Sequence, residues 1–547
     1  MAIEKNTSLF SLIAHSALVV TLITTPMWNK DALVIPKVII LFLTALFLVP
    51  NLVLNFKILK TNKILIMLVV ISGLLLIQYI LVMINSSAPI EQQIYGRTGR
   101  GFGLITLFSL ICILLASALY ITNEKIDKVI NLLTVTGVFL AIYGVMQSYQ
   151  LDPLSWEARN NGVVGTLGNP NFVSSFLAMT FVPILVSTNK LKRRLVYLVF
   201  LIPLILFAIY RAQSTQGYIG IALVSAIFAL VYFWYKKRLM FYIIFCLSTF
   251  MSLMSILGML NIGPMAKYLY KASVQSRGDF WRSAFNAANS HPIFGVGIDS
   301  FGDYFLKYRD LIAVNHTFAE YTDSAHNYFL DYAAVGGYTM LLLNLLIIAL
   351  TLYSFYTVQK SKNSFDAKLT SLFCAYIVFL AQSVISPMTI TLVLWQVVIS
   401  GSIIGLTKFG SNSPTLLKTE KSYIRVIPLS SLAVIFGILV SAPYFNVDRL
   451  QLLSMNNGNG DLAIKSTKMF PESVVRYSTM SRELLSAGLQ AQSLELARSA
   501  VEFNPNSPSL WVLILINPSA PISERKEAQS KILELDPLNK EVMEYFN

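Results

Sequence analysis

Charge is what this sequence has least of. Lys, Arg, Asp and Glu make up 13% of its 547 residues, where a soluble protein carries roughly 25%. So few charges cannot cover a water-exposed surface, which excludes a string of three or four soluble domains. Cysteine is nearly missing too: Cys112, Cys246 and Cys374 each lie inside an apolar run. They supply neither a disulfide framework nor a Cys-x-x-Cys metal pair, and they read as small buried hydrophobes. Histidine is as scarce, with four residues. His291, His316 and His326 stand 25 and then 10 residues apart, a spacing that fits no zinc or two-histidine helix motif. His15, inside an apolar run, reads as a hydrogen-bonded buried side chain. No metal and no cofactor is expected.

Apolar residues fill the space, at 55% of the chain with a mean hydropathy of +0.63. A spanning helix needs about 20 mostly apolar residues. Thirteen segments meet that need: 8–28, 36–54, 64–84, 102–122, 129–149, 172–188, 195–211, 217–235, 239–260, 333–356, 369–387, 390–407 and 426–446. The pair 369–387 and 390–407 is joined by a tight turn around Pro387. The first segment follows a single lysine, Lys5, and no small-residue cleavage site precedes the next span, so it reads as an anchor and not a signal peptide. The expected fold is all-α: a polytopic membrane bundle over 1–446, an outer loop at 261–332, and a helical domain over 447–547.

The net charge of +14 raises the question of nucleic acid, and its location answers it. With the N-terminus in the cytoplasm, the predicted inner loops hold 20 of the 42 basic residues and 5 of the 28 acidic ones. They carry +15 and the rest of the chain −1, so the excess is the positive-inside signal of a membrane protein. No nucleic-acid partner is expected, and membrane lipid is. This orientation puts loop 261–332 and the C-terminal tail on the outer face.

The tail repeats. Pro471, Pro505 and Pro537 close three related corners, 34 and then 32 residues apart, and Ala463 and Ala497 each precede their proline by eight residues. Ala528 sits one position off that rule, as in a degenerate cap. A period near 34 with alanine and then proline closing the second helix resembles tetratricopeptide repeats, which stack into surfaces that bind partners.

Chemistry is to be sought where polar groups collect without a topological reason. Loop 261–332 holds three of the four histidines, together with Arg277, Arg282, Arg309, Asp279, Asp299, Asp303, Asp310, Glu320 and Asp323. A lone histidine there suits a general acid or base, since its ordinary pKa lies near 6.5. The predicted inner loops prefer lysine, 16 to 4 arginines. The outer side reverses this, with Arg97, Arg100, Arg159 and Arg211 outside the large loop. Arginine's planar fork grips phosphate oxygens in pairs. Any one of these arginines reads more simply as a helix cap or a carboxylate's partner; as a set they point to an anionic ligand at the outer boundary.

Several motifs together resemble the signature loop of the O-antigen ligase and polymerase superfamily. They are Ser276-Arg277-Gly278-Asp279-Phe280-Trp281, His291-Pro292-Ile293-Phe294-Gly295-Val296-Gly297, Phe301 with Tyr304, His326-Asn327-Tyr328-Phe329-Leu330, and Gly336-Gly337. Gly165-Thr166-Leu167-Gly168-Asn169-Pro170-Asn171 looks like a second element of that family. The resemblance covers roughly residues 8–446. It implies an enzyme at the outer face of the bacterial plasma membrane that moves a glycan from a polyprenyl diphosphate to an acceptor hydroxyl, without metal or nucleotide sugar. It also implies His326 as base and Arg277 as the loop arginine. A further arginine is expected where this chain has Gln216; Arg211 precedes that position by five residues, about 7.5 Å of helical rise. The resemblance makes His326, Arg277 and Arg211 the catalytic candidates, with Arg97, Arg100, Arg282, Asn169, Trp281 and His291 as substrate-binding candidates.

The acceptor stays open at this point among a lipid, a growing glycan and a protein, so ligase, polymerase and protein O-oligosaccharyltransferase remain alternatives. The tail is expected to orient the acceptor or a protein partner. A transporter of the lipid-linked glycan is the competing class. Carriers place ionisable groups within their spans, and here only Lys37, His15 and Arg211 fall there.

Overall fold

The computed structural model describes residues 2–154, 163–188, 190–317, 321–409 and 422–545. Arg159, Glu320 and most of the predicted inner loop 408–425 lie outside the described residues. The described chain is all-helical, with no strand. Among the described residues, nine helices are long and apolar enough to cross a membrane, and four shorter apolar helices join them at Leu9–Leu22, Leu104–Tyr120, Pro170–Val186 and Ala367–Ser383. Each of the thirteen predicted segments overlaps one of these helices. The turn expected at Pro387 is the segment 384–389, between Ala367–Ser383 and Ile390–Gly405.

Burial sorts these helices by position. Ile390–Phe409 is 94% buried in its apolar window and forms the centre, packed on Leu104–Tyr120. Its Trp395 is fully buried and donates to Thr21 Oγ1 at 2.9 Å, so the one polar atom of the largest core side chain is satisfied. Arg238–Met259 is the opposite case. No residue of its most apolar window is buried, and it packs on Thr215–Lys236 and the short helix Ala266–Leu269. Its exposed Phe245, Leu247, Phe250 and Leu253 match a lipid-facing surface, which must be apolar in a bilayer.

Tyr328–Ser361 outruns its predicted span 333–356 by five residues at each end, and the last span outruns its prediction further. Ser422–Asn456 is a single helix that continues ten residues past 446. The polar onset at Asp448 and Arg449 does not break a helix; Asn457-Gly458-Asn459-Gly460, the first run of helix breakers, does.

The glycines of the histidine-proline motif build the frame of the large loop. After helix Ala272–Ser290 the chain forms a strap whose Val296 N–H donates to Ala334 O at 2.9 Å. Pro292 O in turn accepts from Tyr338 N–H at 2.8 Å. The helix Tyr328–Ser361 is kinked at Gly337, where φ is 72°. Gln78 donates to Ile293 O at 2.7 Å and Gly336 O at 3.0 Å, bridging strap and kink. Gly295 has φ 63°, and a Cβ there would lie 2.4 Å from Gly336 N. Only glycine lets the two backbones come this close.

The tail forms its own apolar cluster around Tyr477, Leu496, Leu510, Trp511 and Ile532. All three proline corners touch the membrane part of the chain. Phe470 packs edge-on against Tyr95 and Ser473 shares a 2.7 Å hydrogen bond with Thr98. Asn504 donates to Asp303 at 3.1 Å and Asn506 to Ser87 Oγ at 3.2 Å. Asp536 receives two hydrogen bonds from Arg309, at 2.8 and 3.1 Å, with side chains only 1% and 3% exposed. The tail and the large loop therefore lie on one face of the bundle.

Two outcomes follow from this packing. Gly295→Ala should destabilise the fold by about 3 kcal/mol or more through overpacking and backbone strain. Gly73→Ala, which meets nothing within 4 Å, should leave the melting temperature unchanged or higher. Asp536→Ala should cost about 3–5 kcal/mol of tail docking by stripping a buried cation of its carboxylate. Limited proteolysis should then release the tail at a protease level the parent protein resists.

Candidate functional site

The site is built on a short loop, 322–327, ahead of the helix at Tyr328. Asn327 caps that helix by accepting from Phe329 N–H and Leu330 N–H. The loop turns around Asp331, fully buried, which accepts from Ser324 Oγ at 2.9 Å and Ala325 N–H at 2.8 Å. Ser324 Oγ accepts in turn from His326 N–H at 3.0 Å. His326 is thereby held at φ 52°, a left-handed conformation costing about 1 kcal/mol or more outside glycine. That strain persists because the carboxylate network over-determines the turn.

The same network sets the ring's protons. His326 Nδ1 lies 3.2 Å from Ser324 O. A carbonyl only accepts, so Nδ1 carries the proton and Nε2 keeps its lone pair. Nε2 has no protein partner among the described residues. The Phe280 ring lies 5.2 Å away, tilted over the imidazole. Burial pushes the His326 pKa below its ordinary value, and Arg277 adds to this, while Asp331 and Asp323 oppose it. The neutral, proton-accepting form is thus the one present at neutral pH.

Arg277 stands next to this ring on helix Ala272–Ser290. Its half-buried guanidinium pairs with no carboxylate among the described residues, its Nε is a buried donor without a partner, and burial alone lowers its pKa. One helical turn on, Trp281 leaves its indole N–H equally unpartnered. Buried donors without acceptors are rare in a finished fold, and two on one helix face mark where a polar ligand would be received.

The other arginines are occupied. Arg97 binds Asp303 at 2.8 Å and Tyr321 OH at 2.6 Å, and Arg100 binds Asp299 at 2.8 Å with Asp323 and Asp331 at 3.6 and 3.7 Å. Arg282 holds Asp279 and Asp310, each at 2.5 Å. The bland reading of these three, carboxylate partners within the fold, is the arrangement observed. Arg211 donates to Ser148 O at 2.7 Å and lies over the Tyr149 ring at 4.9 Å, with no ion pair among the described residues. No contact joins it to His326. Gln216, where an arginine was expected, bonds to Ser386 Oγ at 3.2 Å in a neutral network with Gln382 and Ser175.

His291 ends helix Ala272–Ser290 and pairs with Tyr308 OH at 2.9 Å, away from His326. His316 binds Asp279 at 3.0 Å. Asn169 caps the helix Pro170–Val186, its Oδ1 accepting from Asn171 N–H at 2.8 Å. The residues that sequence reasoning missed are Asp331, Ser324 and Phe280. Asp331 lies within the predicted loop 261–332 but one residue past the His326–Leu330 motif, so nothing in the local pattern singled it out.

These contacts set a measurable order of titration. The midpoint for His326, read from the pH dependence of its diethyl pyrocarbonate labelling, should fall below 6.5. Arg277→Ala should raise it and Asp323→Asn should lower it further. A midpoint above 6.5 that neither substitution moves would contradict the arrangement described.

No curated protein matches the chain. Residues 199–345 match the family model for O-Antigen ligase, a stretch that contains Arg211, Arg277 and His326 but not Arg97, Arg100, Asn169 or the tail. The match supports a membrane glycosyltransferase-like function in surface polysaccharide synthesis, with a lipid-linked glycan and an acceptor as substrates. With the all-helical architecture already described, it supports a likeness to the O-antigen ligase superfamily over that stretch, which is less than half of the chain.

Proposed function

We propose that the protein transfers a glycan from a polyprenyl diphosphate to an acceptor hydroxyl at the outer face of the bacterial plasma membrane. The observation that carries this reading is the pairing of two unlike groups. Among the described residues, a neutral histidine whose Nε2 has no partner stands beside Arg277, a cation without a counter-charge. His326 Nε2 takes the proton of the acceptor O–H as that oxygen attacks the anomeric carbon. The bond from that carbon to the diphosphate oxygen breaks, and the diphosphate leaves with the electron pair. Arg277 and the Trp281 N–H are spare donors for the charge that develops there. Arg211, also without a carboxylate, is the second diphosphate ligand in this reading; Arg97, Arg100 and Arg282 serve the scaffold. The step calls on no metal or nucleotide. The N-terminus is cytoplasmic, and the tail is extracytoplasmic, where it recruits the acceptor or a protein partner.

Purified protein in lipid should consume a polyprenyl-diphosphate glycan and form a covalent product. His326→Ala should slow this by about 10²- to 10⁴-fold, Arg277→Ala by about 10²- to 10³-fold, and His316→Ala only mildly. Full activity in His326→Ala would sink the mechanism. Movement of the glycan lipid across the bilayer without covalent transfer would favour a transporter.

A further inference from the structure

A second polar space lies against the same loop. Five separate stretches of chain line a cavity of about 330 Å³, within the range of small-molecule sites. Asp31 and Lys37 come from the first loop and second span, Arg100 from the loop after the third span, and Asn169 from the glycine-rich turn. Asp323 comes from the histidine loop and Thr389 from the turn after Pro387. Leu33, Phe172 and Met388 supply an apolar wall. Asp323 connects this space to the base, since its charge acts on His326.

The charges decide what the cavity accepts. Its two cations are Lys37 and Arg100, and its two acids are Asp31 and Asp323. Arg100 is further neutralised from behind by Asp299 and Asp331. Lys37 spends one donor on Thr166 O at 2.5 Å. No positive excess is left for a diphosphate, which would meet Asp31 and Asp323 as like charges. The uncompensated cation, Arg277, is not among the lining residues. What the cavity does offer is a mixture of carboxylate acceptors, ammonium and amide donors, and a flat apolar side. Asn169 Oδ1 is used for capping, and its Nδ2 has no protein partner among the described residues. That mixture matches the hydroxyls and C–H faces of a neutral sugar ring.

We infer that this cavity, lined by Asp31, Lys37, Arg100, Asn169, Asp323 and Thr389, is the subsite for the acceptor, and that the acceptor is a glycan whose attacking hydroxyl it presents to His326. The inference rests on the transferase reading above and adds the acceptor's chemical class and its place. It divides the site in two about the base, with diphosphate on the Arg277 side and acceptor sugar on the Asp323 side. A single serine or threonine hydroxyl offers this lining fewer hydrogen-bonding groups than a sugar ring does.

The test separates acceptor from donor. Full-length protein in lipid is given a polyprenyl-diphosphate glycan with either of two acceptors: oligosaccharides released from the producing cell's own surface glycan, or serine-containing peptides. Lys37→Met and Asn169→Ser are compared with the parent; serine keeps the helix cap, so the second variant folds if the first does not. Each should raise KM for the oligosaccharide by about tenfold or more, with binding of glycan-free polyprenyl diphosphate unchanged. Transfer to peptide should be absent. Weakened diphosphate binding with an unchanged acceptor KM would assign the cavity to the donor and overturn the inference, as would transfer to peptide in preference to sugar. If the parent protein consumes no donor with any acceptor, the transferase reading itself fails.

Discussion

The buried cluster of Arg97 and Arg100 with Asp299, Asp303 and Asp331 is the constraint on which the site depends. Its members come from three stretches of chain, 97–100, 299–303 and the first turn of helix Tyr328–Ser361, and each carboxylate does double duty. Asp299 holds Arg100 and also accepts from Arg97 N–H and Phe102 N–H. Asp331 faces Arg100 and shapes the turn that carries His326. Asp303 binds Arg97 and receives Gln92 and, from the tail, Asn504. Desolvating so many ions is costly, and ionic clusters of this kind are weak sources of net stability. Their effect is on geometry: each mispaired arrangement leaves a buried charge unsatisfied, so the three stretches have one low-energy register.

That register explains how His326 can be held in one conformation while sitting on a loop. The glycine strap fixes where helix Ala272–Ser290 ends against the kink at Gly337, and so fixes Arg277 along one axis. The carboxylate cluster fixes the 322–327 turn along another. The tail's three corners press on both halves, through Asp303 and through Arg309. A site assembled this way gets its precision from backbone contact and ion pairing, with little reliance on the catalytic side chains themselves.

The helices were legible in the sequence because spanning a bilayer demands long apolar runs, and nothing else in the chain mimics them. The strap glycines and the cap at Asn169 were visible as motifs, though their physical roles needed the partner backbone to be seen. The arginines were harder. Residue type shows that Arg97 and Arg277 are both able to grip phosphate, yet only the fold shows that one is neutralised by an aspartate some 200 residues away and the other is not. Lys37 looked like the edge of a span for a similar reason, since the cavity it lines is made of stretches no local window contains. The tail boundary at 446 was placed by polarity, whereas helices stop at residues that disfavour helical backbone.

The bare helix Arg238–Met259 has a consequence of its own. A span with almost no protein around it is held upright by hydrocarbon, and its tilt is set by how well its apolar length matches the bilayer. Only the short helix Ala266–Leu269 separates it from helix Ala272–Ser290, which carries Arg277. Bilayer thickness therefore bears on the start of the site's own scaffold through a rod packed chiefly on Thr215–Lys236 and Ala266–Leu269. The surrounding membrane becomes, in effect, a structural neighbour of the active loop, and a detergent micelle is a different neighbour.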